Sequence, residues 1–460
     1  MGMTFLLGVV AFVVSLRARA RLAARYANVR VSPWVVAVLV GVLCAVTLLQ
    51  LRTLDAAAAA AAMPPWQRAL PLHVFARGFV EAKRGAGLET SLQVAAFVQT
   101  ALLVGLAFVL PRAGAPRAVA GIVAAGAAVL ASEAWCARVA GADVYAYVAF
   151  GLSPHPYRPN DALLPLANRA IALLWGRPLV PCPYGPVWLA LAHAIASPGR
   201  SLAANVFAFR GVGLAALAAS IAALLALRKP VTAALFALDP TLWQLYVAEA
   251  HNDVVGIALV LAALAIRRRS LGAAMLLVAL AGAVKLPFLL IGAVAFASAP
   301  AWRARLIPAA LAACGGVALS LALGGGAYLS ALSWTARKYA YPIGALEWSL
   351  HLTLAAIACG AIVTAVVAAR FSWGAPWSFV ALGQYPIWQY LGWGIPYAVL
   401  DETQGLLYLA LLPVSGFELS LLFPDPALLA AGRVALFAAL LVAFALAFRP
   451  PRAAPAAFAG

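Results

Sequence analysis

Of 460 residues, 65% are hydrophobic and only 10% are charged, against roughly 25% charged in a soluble domain, so a water-soluble globular chain is excluded. The net charge of +18 does not indicate nucleic acid, because the basic residues sit in short clusters between apolar runs, as they do at the cytoplasmic edge of membrane proteins. Five scattered cysteines without CxxC spacing indicate neither a metal site nor a disulfide framework.

Apolar run 3–16 leads into the basic stretch 17–30. This is the reverse of a signal peptide's charge order, so the run reads as a membrane segment that stays. With Arg clusters as cytoplasmic markers, 33–51 leads outward and 91–110 returns to Arg112 and Arg117. The loop between them, 52–90, falls outside. Helix 118–136 leads out into a long polar stretch, 137–204. Helix 205–227 returns to Arg228 and Lys229, and 231–248 and 254–266 go out and back to the Arg run 267–269. Segments 271–284 and 287–299 flank Lys285-Leu286-Pro287 and return to the basic 302–305. Helix 304–323 leads to a second loop, 324–350, and 351–369 returns to Arg370. The rest fits a short helix, then 386–400, 405–422 and 428–448, ending at the basic 449–452.

The expected fold is therefore all-α, a polytopic transmembrane bundle of about 12–15 membrane helices. It forms one integral domain over 1–460, multi-pass in the inner or plasma membrane. The long outer loop 137–204 is punctuated by Pro and Gly and reads as short interfacial helices along the bilayer surface.

Acids are scarce, fourteen in all, and an ionisable group near a membrane needs a reason. Asp143 heads the aromatic segment DVYAYVAFG (143–151), followed by HPY (155–157) and PYGPVWLAL (183–191). Taken alone, Asp143 also reads as a helix N-cap and the tyrosines as an interfacial belt. Glu249, His251, Asn252 and Asp253 crowd between two apolar runs, where a hairpin turn with an Asx cap would also put them. Lys285 stands alone in AGAVKLPFLL (281–290), and snorkelling to the interface is its ordinary explanation. Arg337 and Lys338 sit among aromatics in the 333–348 stretch, and IWQYLGWGIPY (387–397) is dense in rings.

In this order, DVYAYVAFG, HPY, PYGPVWLAL, HNDVVGIAL (251–259), AGAVKLPFLL and IWQYLGWGIPY resemble the GT-C glycosyltransferase superfamily. Within it they resemble the bacterial polyprenol-phosphate-mannose-dependent α-(1→6)-mannopyranosyltransferases. The likeness spans about residues 118–400, and the flanks match no motif of the family. It implies an inverting transferase that moves a hexose, expected to be mannose, from a polyprenyl-phosphate donor to a glycolipid or glycan acceptor on the extracytoplasmic face. Asp143 occupies the catalytic-base position. Lys285, then Arg337 and Lys338, would stabilise the leaving phosphate. His251, Asn252 and Asp253 would bind hydroxyls or orient the base. Tyr145, Tyr147, Tyr184 and Trp388 would stack on sugar faces, with His155 and Tyr157 beside them. Many relatives carry two adjacent acids where this chain has Ala142 before Asp143, which makes a divalent metal less expected and leaves Asp253 or Glu133 as a second carboxylate. No cofactor, no metal and no nucleic acid are expected. Membrane lipids, donor and acceptor are the expected partners. The rival reading is a transporter or flippase for a lipid-linked sugar, against which stand the absence of an internal repeat and the placement of charges at helix ends.

Overall fold

The computed structural model describes residues 29–60, 65–74, 88–140, 143–158, 168–169, 171–172, 181–289, 291–292, 302–339, 388–399, 405–406 and 408–415. They are mostly helical. Helices α1 (Pro33–Ala60), α2 (Leu88–Val109) and α3 (Pro116–Cys136) pack together, with α1 against both others. Then come α4 (Asp143–Leu152), α5 (Pro186–Ile195), α6 (Leu202–Ala226) and α7 (Pro230–Leu238). A short turn, Pro240–Trp243, runs into a π-helical turn, Gln244–Ala248. Helices α8 (Asp253–Ile266), α9 (Leu271–Val284) and α10 (Trp302–Tyr339) follow. A 3-10 stretch, Trp388–Gly394, packs on α8.

The helix starts follow local chemistry. Pro33, Pro116, Pro186 and Pro230 each open a helix, where the missing N–H is no loss and the ring presets φ. Ser201 and Ser270 accept from Ala204 N and Ala273 N at the starts of α6 and α9, each satisfying one otherwise orphaned amide.

Among the described residues, five helices are long and apolar enough to cross a membrane, and a sixth span arises if Pro240–Ala248 and Asp253–Ile266 count as one, bent by 118°. Val38, Leu49, Leu311 and Leu323 lie exposed on their outer faces, a liability in water and the normal state in lipid. The helices hold one another by packing and by a few polar contacts. Gln99 Nε2 donates to Thr47 Oγ1 at 3.1 Å and to Gln50 Oε1 at 2.6 Å, joining α2 to α1. A two-residue parallel pairing, His73–Val74 with Val139–Ala140, ties segment 65–74 to the chain leaving α3.

Three expectations change. Helix α4 is not amphipathic with one face open, since every residue from Val144 to Gly151 is buried. Its sequence has no polar face to offer water, so α5 and α6 enclose it. The expected single helix 231–248 breaks at Asp239-Pro240, because Pro240 cannot donate to the preceding turn. The expected loop 324–350 begins as helix. Two helical stretches of α10 meet at a kink at Gly325 (φ 57, ψ −159), and the second reaches Tyr339. The first apolar run (3–16) and the expected helices 351–369 and 428–448 lie outside the described residues.

Candidate active site

Asp143 is the first residue of α4. Its carboxylate meets the turn between the π-helical segment and α8. His251 Nδ1 lies 3.2 Å from Asp143 Oδ2, at ion-pair distance but off the hydrogen-bond angle. On the other side of the ring, His251 Nε2 lies 2.9 Å from Glu249 Oε2. Ala250, between the two, is held at φ 56, a left-handed conformation that a residue with a Cβ adopts only at some strain. This kink lets side chains two residues apart face each other.

The imidazole is thus enclosed by two carboxylates. Burial opposes its charge, but Asp143 and Glu249 outweigh burial and push its pKa up to about 10. Burial pushes the Glu249 carboxyl up as well, while His251 pulls it back. The Asp143 side chain is 14% exposed, against 5% for His251 and 3% for Glu249. Asp143 is therefore the member of this row that reaches toward the outside.

Asp253 opens α8 and is fully buried. Lys285 Nζ donates to its Oδ1 at 2.8 Å, and Trp393 Nε1 donates to the same oxygen at 2.5 Å. Lys285 follows the last turn of α9 with extended backbone, which carries the side chain back across α8. Its ammonium sits over the rings of Tyr390 (4.9 Å), Trp393 (5.2 Å) and Tyr184 (5.7 Å), a cation–π cage.

Tyr147 and Asn252 join the two halves. The Tyr147 hydroxyl donates to Asn252 Oδ1 at 3.2 Å and accepts from Asn252 N at 3.3 Å. Its ring packs edge-on against Tyr184 and Trp188. Burial, and then the charge of Asp143, hold the Tyr147 and Tyr184 phenols well above their usual range, so both remain neutral donors. The Asn252 amide nitrogen, the Trp188 indole N–H and Asp253 Oδ2 are buried and have no hydrogen-bond partner among the described residues. Orphaned groups of this kind are rare unless a ligand or water completes them.

Arg210 fixes the backbone behind the cluster. It is fully buried on α6 and donates to the carbonyls of Trp135 (2.5 Å), Ala137 (2.8 Å) and Ala248 (2.6 Å). It thereby ties the chain leaving α3 toward Asp143 to the end of the π-helical turn before Glu249. Gly213, one turn further along α6, allows the approach, since a Cβ there would collide with the Tyr246 carbonyl oxygen.

Of the residues expected from sequence, Asp143, Tyr147, Tyr184, His251, Asn252, Asp253 and Lys285 therefore come together. Tyr145 does not. Its hydroxyl donates to Leu72 O at 2.7 Å and accepts from Leu72 N, so it anchors segment 65–74 instead of facing a sugar. The alternation that carries Tyr147 inward turns Tyr145, two residues before it on a helix, to another side. His155 lies exposed in a turn, and the Tyr157 ring packs on Tyr328 at 5.3 Å. Glu133 pairs with Arg52 at 3.7 Å on α1, not with Asp143. Arg337 and Lys338 lie on α10 and Trp388 opens the 3-10 stretch, but their side chains are outside the described residues. Sequence motifs do not single out Arg210, while Glu249 stands out only as part of its polar turn and Tyr390 and Trp393 only as rings of the 387–397 segment. A lone Arg in the middle of an apolar span is the signal that would have found Arg210.

A family model described as alpha-(1->6)-mannopyranosyltransferase, N-terminal domain, matches residues 38–301, more than half of the chain and the whole cluster except Tyr390 and Trp393. The chain belongs to this family. No curated protein and no solved structure matches it. It is a GT-C-like, multi-pass membrane mannosyltransferase, and the cluster just described is its candidate active site.

Proposed function

We propose that this mannosyltransferase moves mannose from a polyprenyl-phosphate donor to a hydroxyl of a glycolipid or glycan acceptor, on the extracytoplasmic side of the inner or plasma membrane and with inversion at the anomeric carbon. The observation that carries the reading is the pair of accessible ends of an otherwise closed polar cluster. One end is a carboxylate, Asp143, and the other is a caged cation, Lys285, whose side chain is 12% exposed.

Asp143 is the base. It removes the acceptor O–H proton as that oxygen bonds to the anomeric carbon. The bond from this carbon to the phosphate oxygen breaks with its electron pair on the phosphate. Lys285 stabilises the departing anion, with Arg337 and Lys338 as further candidates. A phosphate leaves without protonation, so the reaction needs no general acid, unlike glycoside hydrolysis. No metal or other cofactor is invoked. The orphaned Asn252 amide would donate to a sugar hydroxyl, and Tyr147 would hold it in place. Tyr184 and Trp388 offer aromatic faces. Membrane lipids supply the donor laterally.

The test is transfer in reconstituted vesicles from a synthetic polyprenyl-phospho-mannose to octyl α-mannoside. Asp143→Asn should lower the rate by about 100- to 10,000-fold, with membrane insertion preserved. Wild-type turnover by that variant rejects Asp143 as base. A retained anomeric configuration in the product rejects direct displacement.

A further inference from the structure

The Asp143–His251–Glu249 row differs from a relay in which a neutral histidine collects the substrate's proton. We propose that His251, backed by Glu249, is the positioning residue of the transferase, a permanently charged imidazolium that keeps Asp143 ionised and holds its Oδ2. This rests on Asp143 being the base.

Three observations support it. First, both ring nitrogens face carboxylates, at 3.2 Å and 2.9 Å, so no neutral tautomer can offer a proton to both. Second, with Asp143 and Glu249 both ionised on either side of the ring, a neutral His251 would leave two carboxylates flanking it without a cation between them, an expensive state for buried groups. Third, among the described residues Glu249 is otherwise met by Gln244 Nε2 at 3.5 Å and by the more distant Arg210, and its side chain is only 3% exposed. Its place is explained by the imidazole.

The groups placed against His251 are Asp143, from α4, and Glu249, from its own turn. The other titratable groups of the neighbouring elements are engaged elsewhere: Arg210 of α6 on the Ala248 carbonyl, Asp253 of α8 with Lys285 at the end of α9, and the Tyr147 hydroxyl on Asn252. Only Glu249 and Asp143 touch the ring, so they set its protonation.

The experiment is the pH–rate profile of kcat and KM in the same vesicle assay, with polyprenyl-phospho-mannose and octyl α-mannoside, for wild type, Glu249→Gln, Glu249→Asp and His251→Gln. Wild type should show no basic limb up to about pH 9, consistent with a ring stabilised by two anions. Glu249→Gln should introduce one, roughly tenfold loss per pH unit above a midpoint nearer ordinary histidine values. Glu249→Asp should remove that limb again. His251→Gln should lower kcat at least about tenfold with donor KM changed under twofold, and should move the acid limb up by about one pH unit or more. A uniform loss of rate in Glu249→Gln and His251→Gln, with limbs unmoved, overturns the proposal and leaves a structural role only. If His251→Gln fails to fold, the Glu249→Gln and Glu249→Asp comparison decides. Undiminished transfer by Asp143→Asn overturns the base assignment instead, a result separable from the limb positions.

Discussion

Lys285 and Asp253 form a 2.8 Å ion pair inside a cage of three aromatic rings, with Asp253 fully buried. Removing one partner strands the other. Lys285→Met should destabilise the protein by about 3–5 kcal/mol, whereas Lys285→Met combined with Asp253→Leu should recover most of that loss. Thermal unfolding in detergent, compared across the single and double variants, measures this. A loss in the double variant equal to the sum of the Lys285→Met and Asp253→Leu losses would show that the pair carries no coupling.

Stability should fall as pH rises. The His251 pKa is raised from 6.5 to about 10, so the native state binds a proton that the unfolded chain releases earlier. That contribution is complete below about pH 6.5 and disappears as pH climbs through about 10. Glu249, also shifted upward, acts in the same direction, in the range beginning at its ordinary carboxyl value. Melting temperatures from pH 6.5 to 10 should slope downward for wild type and flatten for His251→Gln.

Arg210 donates to three carbonyls from two stretches, the end of α3 and the end of the π-helical turn. Arg210→Met leaves those acceptors unpaired and should cost about 3 kcal/mol or more, at roughly 1–3 kcal/mol for each buried group. Arg210→Lys keeps the charge but not the planar fork, and should recover only part of the loss. Protease resistance of the purified variants orders the three proteins.

Gly213 tests the close approach of α6 to the π-helical turn. A methyl group there collides with the Tyr246 carbonyl and must push the turn before Glu249 away. Gly213→Ala should cost about 1–3 kcal/mol by overpacking and lower transfer more than it lowers expression. The neighbouring Gly211→Ala, with open space at its Cβ, serves as the control and should behave as wild type.

The sequence made much of this architecture legible, and the reasons are local. A proline ahead of an apolar run marks a helix start, as at Pro33, Pro116, Pro186 and Pro230. Scarcity made Asp143, Asp253 and Lys285 conspicuous, because a charge among alanines and leucines has few explanations. Which groups face each other was not legible. Tyr147 and Asn252 are 105 positions apart and Asp253 and Trp393 are 140 apart, and no periodicity encodes such meetings. Tyr145 and Tyr147 look alike in sequence, yet one is bonded to Leu72 and the other to Asn252. The turn 249–252 looked like a capped hairpin because its chemistry depends on a left-handed Ala250, and alanine carries no signal of positive φ.

The hydrogen bond from Trp393 to Asp253 also has a bearing on biogenesis. Asp143, His251, Asp253 and Lys285 all leave the ribosome before residue 390, so the nascent protein holds its ion pair for a time without the Tyr390 and Trp393 rings above it. A chain arrested after residue 301, where the family match ends, would contain the carboxylates and the lysine and still lack two walls of the lysine's cage. The residues of the polar cluster are synthesised early, and two of the rings that shelter its lysine come late.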